Sequence, residues 1–232
     1  MFFIGLTGSI GTGKSTVSKY LSQQNIPVID SDQIARDVVK PYSKCWHSIR
    51  EHFGEDAINE TDGQINRSYL ARVIFNNPDE RLVLNKITHP EIQKQTFLKA
   101  LYYWLTFRKF VVFDIPLLFE SKIYQSWMNY IVVVKCDPSK QLQRIKVRNG
   151  YTDEEALSRI ESQMSLEEKC KLADFVIDNN GTIEQTFHQI DEILREIKPP
   201  STFYILRLFL ITFYGLSSFS LIKLLQYAIS KL

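Results

Sequence analysis

Short apolar runs alternate with helical patterns along much of the chain. Five runs have the length and the β-branched or aromatic content of buried strands, and they cover residues 2–6, 26–30, 109–114, 130–135 and 174–178. Helical patterns follow the first, second, fourth and fifth of these runs. Because strands that alternate with helices are typical of a parallel sheet, the pattern predicts an α/β fold.

Residues 42–105 interrupt this alternation. Helical patterns follow one another there without a convincing strand, and the predicted breaks fall at Gly54 and at residues 62–63, 76–78 and 89–90. The sequence therefore predicts a helical lobe inserted between the second and third strands.

A glycine-rich loop follows the first strand. Residues 8–15 have the sequence Gly-Ser-Ile-Gly-Thr-Gly-Lys-Ser, which fits the pattern G-x-x-x-x-G-K-[ST] between a strand and a helix. The glycines let successive N–H groups turn inward around a polyphosphate at the positive end of the helix. Lys14 adds a charge near the β- and γ-phosphates, and Ser15 can place its hydroxyl on Mg²⁺. An ordinary turn would need neither the Lys-Ser pair nor three glycines, so we expect a phosphate-binding loop.

Carboxylates stand at the ends of two further strands. Asp30 and Asp32 follow the second strand, and Asp114 ends the third. The carboxyl ends of parallel strands meet at one edge of the sheet, so these groups should share a cleft with the loop. Asp114 is the candidate on the metal side, and Glu120 brings a second carboxylate towards that edge. Asp32 fits a helix N-cap or first-turn position as well as a catalytic role.

Several basic side chains have two interpretations each. Arg36 could form an ion pair with Asp32 one turn away or bind an anionic substrate group. Arg67 and His89 are candidate substrate contacts in the inserted lobe, although a histidine before a proline is more often a turn residue. Arg144 and Arg148 share one face of the basic helix after the fourth strand. They suit either a solvated surface or closure over transferring phosphates.

The composition restricts the kinds of partner and the cellular compartment that we expect. The chain has 232 residues, a net charge of +2 and three widely spaced cysteines. So small a charge argues against a nucleic-acid partner, and the cysteines suit reduced thiols inside a cell. The apolar start has no basic region before it, so we expect no secretory signal.

The chain becomes strongly apolar after residue 198. Residues 208–222 carry no charge and lie between Arg207 and Lys223. This run is shorter than the roughly 20 residues that span a bilayer, but the two flanking cations can extend it. We expect residues 199–232 to form a hydrophobic helical tail that attaches to a membrane. A helix or hairpin packed on the protein or on another subunit is the alternative.

Taken together, these motifs resemble the dephospho-coenzyme A kinase family. The resemblance spans roughly residues 1–197 and is most specific in Asp30-Ser31-Asp32, His89-Pro90 and the run Asp-Ile-Pro-Leu-Leu-Phe-Glu at residues 114–120. Many members have Gly in place of Ser9, and Ala or Val in place of Ser31. The resemblance implies a P-loop NTPase fold of three α/β/α layers with a five-stranded parallel sheet in residues 1–198. It also implies a helical substrate lobe at about 42–105 and a lid at about 138–165.

The resemblance further implies transfer of the ATP γ-phosphate, with Mg²⁺, to the ribose 3′-hydroxyl of dephospho-coenzyme A. The implied catalytic residues are Asp32, Lys14 and Arg144. The implied ATP contacts are Gly8, Ser9, Ile10, Gly11, Thr12, Gly13, Lys14, Ser15, Thr16, Arg144, Arg148 and Asn179. Acceptor contacts would come from Asp32, Arg36, Arg67, His89, Asp114, Leu117 and Glu120. Ser15 and Asp114 would hold Mg²⁺, the latter through water. We expect the protein in the cytoplasm or the mitochondrion, where the tail would attach it to a membrane.

Three rival functions stay open from the sequence. A kinase for another nucleotide or nucleoside would share the loop. A membrane-tethered nucleotide switch specific for guanine would carry Asn-Lys-x-Asp, and the nearest stretch, at residues 85–88, lacks the acid. An inactive scaffold would be expected to have lost a key group, whereas Lys14, Asp32, Asp114 and Arg144 are all present.

Overall fold

The computed structural model describes residues 1–121 and 123–197, and beyond them only Ile205, Leu208, Phe209 and Thr212. Five strands form one parallel sheet in the order β2-β3-β1-β4-β5. The strands are β1 Phe2–Gly8, β2 Val28–Asp30, β3 Phe110–Asp114, β4 Tyr130–Lys135 and β5 Phe175–Asp178. The five-stranded parallel sheet predicted from the sequence is confirmed.

Helices cover both faces of the sheet and build the inserted lobe. They are α1 Lys14–Gln23, α2 Ser31–Asp37, α3 Lys44–Phe53, α4 Arg67–Asn76, α5 Pro78–Leu105, α6 Leu118–Ser121, α7 Pro138–Asn149, α8 Asp153–Glu161, α9 Leu166–Leu172 and α10 Ile183–Glu196. Side-chain caps start many of them. Thr152 and Thr182, for example, each form a capping box with the residue three positions later.

Strand residues alternate between two apolar clusters, one on each face of the sheet. Val111 and Phe113 of β3 point into one cluster with Ala100 of α5, whereas Val112 points into the other with Val17 of α1. A third cluster, formed by Trp46, Ile49, Ala57, Ile65 and Leu70, is the core of the inserted lobe. Burial of both faces explains why the central strands β1, β3 and β4 are mostly apolar.

The break predicted at His89 and Pro90 is wrong, because α5 continues through Pro90. Proline in a helix removes one backbone hydrogen bond. Ile87 before it and Ile92 after it both pack against buried clusters. We attribute the continuity of the helix to this packing on both sides of the proline.

The predicted tail, residues 199–232, lies outside the described residues except at four positions. Ile205, Leu208, Phe209 and Thr212 are helical and exposed. Within the described part of the chain, no helix has the length and apolar character needed to cross a bilayer. The predicted tail and its membrane attachment therefore stay predictions.

Candidate active site

The phosphate-loop motif lies between β1 and α1, as the sequence predicts. Gly11 and Gly13 have φ angles of 81° and 95°, in the left-handed region that favours glycine. A Cβ atom at Gly13 would overlap the side-chain amide of Asn179, and one at Gly8 would lie 2.8 Å from the Val134 carbonyl oxygen. The glycines are therefore required by the tight packing of the loop as well as by its backbone angles.

Side chains from distant elements fix the loop from behind. Gln141 Nε2 donates to the Ile10 carbonyl oxygen at 2.7 Å, and Asn179 Nδ2 donates to that of Thr12 at 2.8 Å. Arg144 also donates to the Thr12 carbonyl oxygen, at 3.3 Å. Because these carbonyl groups are bound on the protein side, the loop amide groups that the protein itself does not bind can turn towards a ligand at the start of α1.

Lys14 and Asp114 form an ion pair at the edge of the sheet. Asp114 is only 3% exposed, and its backbone carbonyl accepts a hydrogen bond from Ser31 Oγ at 3.0 Å. The strand register places Asp114 beside both Leu6 and Asp30. Three groups therefore lie close together: the side chain of Lys14, the carboxylate of Asp114 and the start of α2.

A cleft opens beside these three groups, and we call it the second cleft to distinguish it from the phosphate loop. It has a volume of about 380 Å³, and its walls include Asp32, His89, Leu117 and Gln163. Asp30, not Asp32, caps α2, since Asp30 accepts the N–H of Gln33 at 2.9 Å. Asp32 is thus not needed as the helix cap and lines the cleft.

Asp32 has a raised pKa even though its side chain reaches solvent. The main cause of the raised pKa is partial burial in the cleft, which excludes water and disfavours the charged form of the carboxylate. The negative charges of Asp30 and Asp114 raise the pKa further, while Lys14 and Arg36 act against the rise. A carboxylate with a raised pKa in a cleft is a typical candidate for proton transfer.

Arg36 and Arg67 line a neighbouring recess of about 700 Å³. Arg36 lies one turn beyond Asp32 on α2, so this recess adjoins the second cleft. Within the described part of the chain, Arg36 and Asp32 form no direct ion pair. The geometry leaves the Arg36 guanidinium available for an anionic ligand.

Arg144 and Arg148 make different contacts in the structure. Besides its bond to the loop, Arg144 donates to the Asn179 carbonyl oxygen at 3.3 Å. Arg148 is exposed one turn further along α7 and donates to the side chain of Asn149. Of these two arginines, Arg144 is therefore the one that contacts the loop in this conformation.

Glu120 is part of an internal network. Its Oε1 accepts from Lys169 Nζ at 2.8 Å and from the Met164 N–H at 3.1 Å, and Lys169 is fully buried. Burial opposes ionisation of Glu120, but the hydrogen bonds from Lys169 and the backbone keep its pKa below the ordinary value. The other oxygen, Oε2, is buried and has no hydrogen-bond partner within the described residues. The predicted substrate contact of Glu120 stays a prediction.

Sequence reasoning missed Gln163 and Lys169 as site residues. Gln163 Oε1 accepts the N–H of Ile10 in the loop at 3.0 Å, and the same residue lines the second cleft. Lys169 fixes Glu120 and also donates to the Pro116 carbonyl oxygen at 3.3 Å. Both residues act over long sequence separations, so no local pattern marks them.

A parallel sheet with a phosphate-binding loop after its first strand, and a second cleft beside it, defines the class of small-molecule P-loop kinases. A family model described as dephospho-CoA kinase matches residues 2–185. The chain therefore belongs to the dephospho-CoA kinase family, and the resemblance seen in the sequence is confirmed.

Similarity to individual proteins supports the same family assignment. A dephospho-CoA kinase from Bacillus anthracis is 46% identical over 193 residues, which cover 83% of this chain and 96% of the relative. A dephospho-CoA kinase domain-containing protein from Danio rerio is 41% identical over 207 residues, covering 89% and 90%. The solved dephospho-CoA kinase from Campylobacter jejuni is similar with a TM-score of 0.63 and 27% identity, covering 84% of this chain and 96% of that one.

Proposed function

We propose that this protein transfers the γ-phosphate of ATP to the ribose 3′-hydroxyl of dephospho-coenzyme A. The product is coenzyme A, so the reaction is the last step of its biosynthesis. The main observation behind the proposal is that Lys14 and Asp114 lie beside the cleft of Asp32, at the carboxyl ends of the strands. A donor phosphate on the loop would lie beside a hydroxyl held in that cleft.

The loop side of the site binds the donor in this proposal. Residues 8–16 surround the phosphates, and Lys14 leaves Asp114 to contact the transferring group. Arg144, already against the loop, adds positive charge where negative charge develops. Arg148 and Asn179 complete the ATP contacts.

The second cleft and its neighbouring recess bind the acceptor. His89 and Leu117 line the cleft, while Arg36 and Arg67 provide two guanidinium groups for the acceptor's phosphates. Glu120 contributes to the acceptor side indirectly, because it fixes the positions of Lys169 and of the Met164 backbone.

Asp32 accepts the proton of the 3′-hydroxyl or orients that hydroxyl. The hydroxyl oxygen forms the new bond to phosphorus as the bond to the ADP oxygen breaks, and the proton passes to Asp32 and then to solvent. Asp32 must be ionised for this step, so its raised pKa sets the lower pH limit of activity.

The residues at the loop fit Mg²⁺. Ser15 is exposed at the start of α1, and the Asp114 carboxylate lies beneath the loop, so both offer the oxygen ligands that Mg²⁺ prefers. Mg²⁺ typically binds through one or two protein groups together with substrate phosphates and water. Once Lys14 turns to the transferring group, the Asp114 carboxylate would be free to contact the ion through water. When bound, the ion neutralises charge on the phosphates.

An acceptor panel tests the proposed reaction. ADP release is measured with dephospho-coenzyme A, AMP, adenosine, dCMP and no acceptor. We expect turnover with dephospho-coenzyme A alone. Turnover with a different acceptor would keep the phosphate chemistry and overturn the substrate, and silence with every acceptor despite ATP binding would favour a switch or an inactive scaffold.

We also propose that the protein works in the cytoplasm or the mitochondrion and attaches to a membrane through residues 199–232. The free thiols of Cys45, Cys136 and Cys170 suit a reducing compartment. The uncharged run at 208–222 supports attachment. Cell fractionation of the full chain and of a chain ending at residue 198 tests it. Full-length protein in the soluble fraction would contradict attachment.

A further inference from the structure

The second half of α5 exposes a broad apolar face. Thr96 and Ala100 point into the protein. Large apolar side chains occupy the opposite side, with exposed fractions of 56% for Phe97, 46% for Leu98, 37% for Leu101, 60% for Tyr102, 38% for Trp104 and 51% for Leu105. We call these six residues the outer face of α5. Surface helices normally carry polar residues on this side, so such a face indicates a docking surface.

The charged residues along this part of α5 are all positive. Residues 92–113 contain no aspartate or glutamate. Lys94, Lys99, Arg108 and Lys109 lie in or next to this part of α5 and are exposed. Leucine with tryptophan and tyrosine, bordered by lysine and arginine, is the composition of helices that lie in the interface of an anionic bilayer.

A basic recess borders the same face. Lys94 and Lys99 line it together with Lys40 and Lys44, and its volume is about 490 Å³. The carboxylates of Asp37 and Glu91 also line the recess, so four ammonium groups face two carboxylates. The remaining positive charge suits the phosphate of a lipid headgroup.

The C-terminal end of the outer face lies near the ends at which β1 and β3 begin, whereas the candidate active site lies at the carboxyl ends of these strands. Helix α5 passes the second cleft at His89, Ile92 and Gln93 and ends shortly before β3 begins. Phe110, the first residue of β3, pairs with Phe2 of β1, whereas the loop and Asp114 lie at the other ends of these strands.

Ile197, the last residue of the continuous described chain, lies near the ends at which the strands begin. Ile197 is buried in a cluster that contains Phe2, Phe110, Tyr130 and Phe175, the first residues of four strands. Ile205 and Leu208 are 66% and 64% exposed. Ile197 and the end of α5 therefore lie towards the same ends of the strands.

We propose that the outer face of α5 is a membrane-docking surface that lies in the interfacial layer of an anionic bilayer. The inference goes beyond the proposed kinase reaction and does not depend on it. It also concerns a different part of the chain from the tail, which would hold the protein near the membrane while α5 fixes its orientation.

A fluorescent label on the outer face tests the proposal in the full chain. The environment-sensitive dye NBD is attached to Leu101→Cys in a Cys170→Ser background, where Cys45 and Cys136 are buried. The matched control carries the dye at Phe75→Cys, because Phe75 of α4 is 87% exposed and lies outside the face. Vesicles of phosphatidylcholine are compared with vesicles that also contain phosphatidylserine.

We expect the emission at position 101 to shift to the blue with anionic vesicles, more than with neutral ones, and the emission at position 75 to stay unchanged. No shift at position 101 would overturn the proposal. A blue emission already present without vesicles would also overturn it. If that emission were independent of protein concentration, the tail would cover the face, and if it rose with concentration, a second copy would.

Substitution of the face gives a second test. The full chain with Leu101→Gln and Leu105→Gln should partition into anionic vesicles roughly tenfold less, because it buries less apolar area in the interface. Its ADP production should be unchanged, and Phe75→Gln should alter neither property. Unchanged partitioning of the double variant would contradict the proposal.

Discussion

Lys14 of the phosphate loop and Asp114 at the end of β3 form an ion pair across two neighbouring strands. Asp114 is almost fully buried, so the pair holds the lysine at the carboxyl ends of the strands, where the phosphate loop lies beside the second cleft. In the proposed reaction, ATP replaces Asp114 as the partner of Lys14, and the carboxylate becomes available to the Mg²⁺ shell.

Removal of the Lys14 charge should therefore affect the transfer step. We expect Lys14→Met to lower kcat/KM by about 10²-fold, because a preorganised charge on the transferring phosphoryl group is lost. Steady-state ADP release measures the change. Lys19→Met, on the exposed side of the same helix, is the control and should keep its activity. Equal activities of the two variants would remove Lys14 from the proposed role.

Asp32 and Asp30 offer a matched pair of substitutions. Asp32→Asn should lower kcat by about 10² to 10⁴ while ATP binding persists, because the proton acceptor is lost. Asp30→Asn should keep most of the turnover, since asparagine caps a helix as well as aspartate does. Rate measurements combined with ATP titration separate the two effects. Near-normal turnover of Asp32→Asn would exclude it as the base.

The acidic limb of the pH profile should report on Asp32. Its pKa is raised, so kcat/KM should fall at a higher pH than for an ordinary aspartate. Asp30→Asn removes a negative neighbour and should move this limb to lower pH. Arg36→Gln removes a positive neighbour and should move it to higher pH. Profiles that coincide for all three proteins would show that another group controls the limb.

The Glu120–Lys169 pair should contribute to stability. Lys169→Met leaves a largely buried carboxylate without its cation, and we expect the free energy of unfolding to fall by about 2–3 kcal/mol. Urea unfolding measures this, with exposed Lys171→Met as the control. Because the folded pKa of Glu120 is lowered, the contribution is present above its ordinary pKa of 4.5 and is lost as the pH falls through the folded value. An unchanged stability of Lys169→Met at neutral pH would contradict this account.

Local patterns in the sequence were enough to predict the strands and the phosphate loop. The three central strands, β1, β3 and β4, are buried on both faces, so their runs are largely apolar. The loop must carry glycines because Gly11 and Gly13 have positive φ angles. The rule that carboxyl ends of parallel strands meet at one edge then places Asp32 and Asp114 together.

Features that depend on tertiary contacts were not predictable in this way. Packing on both sides of Pro90 keeps α5 continuous where proline alone predicts a break. Which of Asp30 and Asp32 caps α2 depends on the path of the chain after β2. The contact of Gln163 with Ile10 joins residues 153 positions apart, so no spacing pattern could reveal it.

The position of the new phosphate tests the central claim most directly. The full chain is incubated with ATP, Mg²⁺ and dephospho-coenzyme A, and the product is analysed by ³¹P NMR and by its ability to serve a coenzyme A-dependent acetyltransferase. We predict one new phosphomonoester on the ribose 3′-oxygen and a product that the acetyltransferase accepts as coenzyme A. A phosphate at another position, or no phosphorylated product under conditions in which ATP binds, would contradict the account.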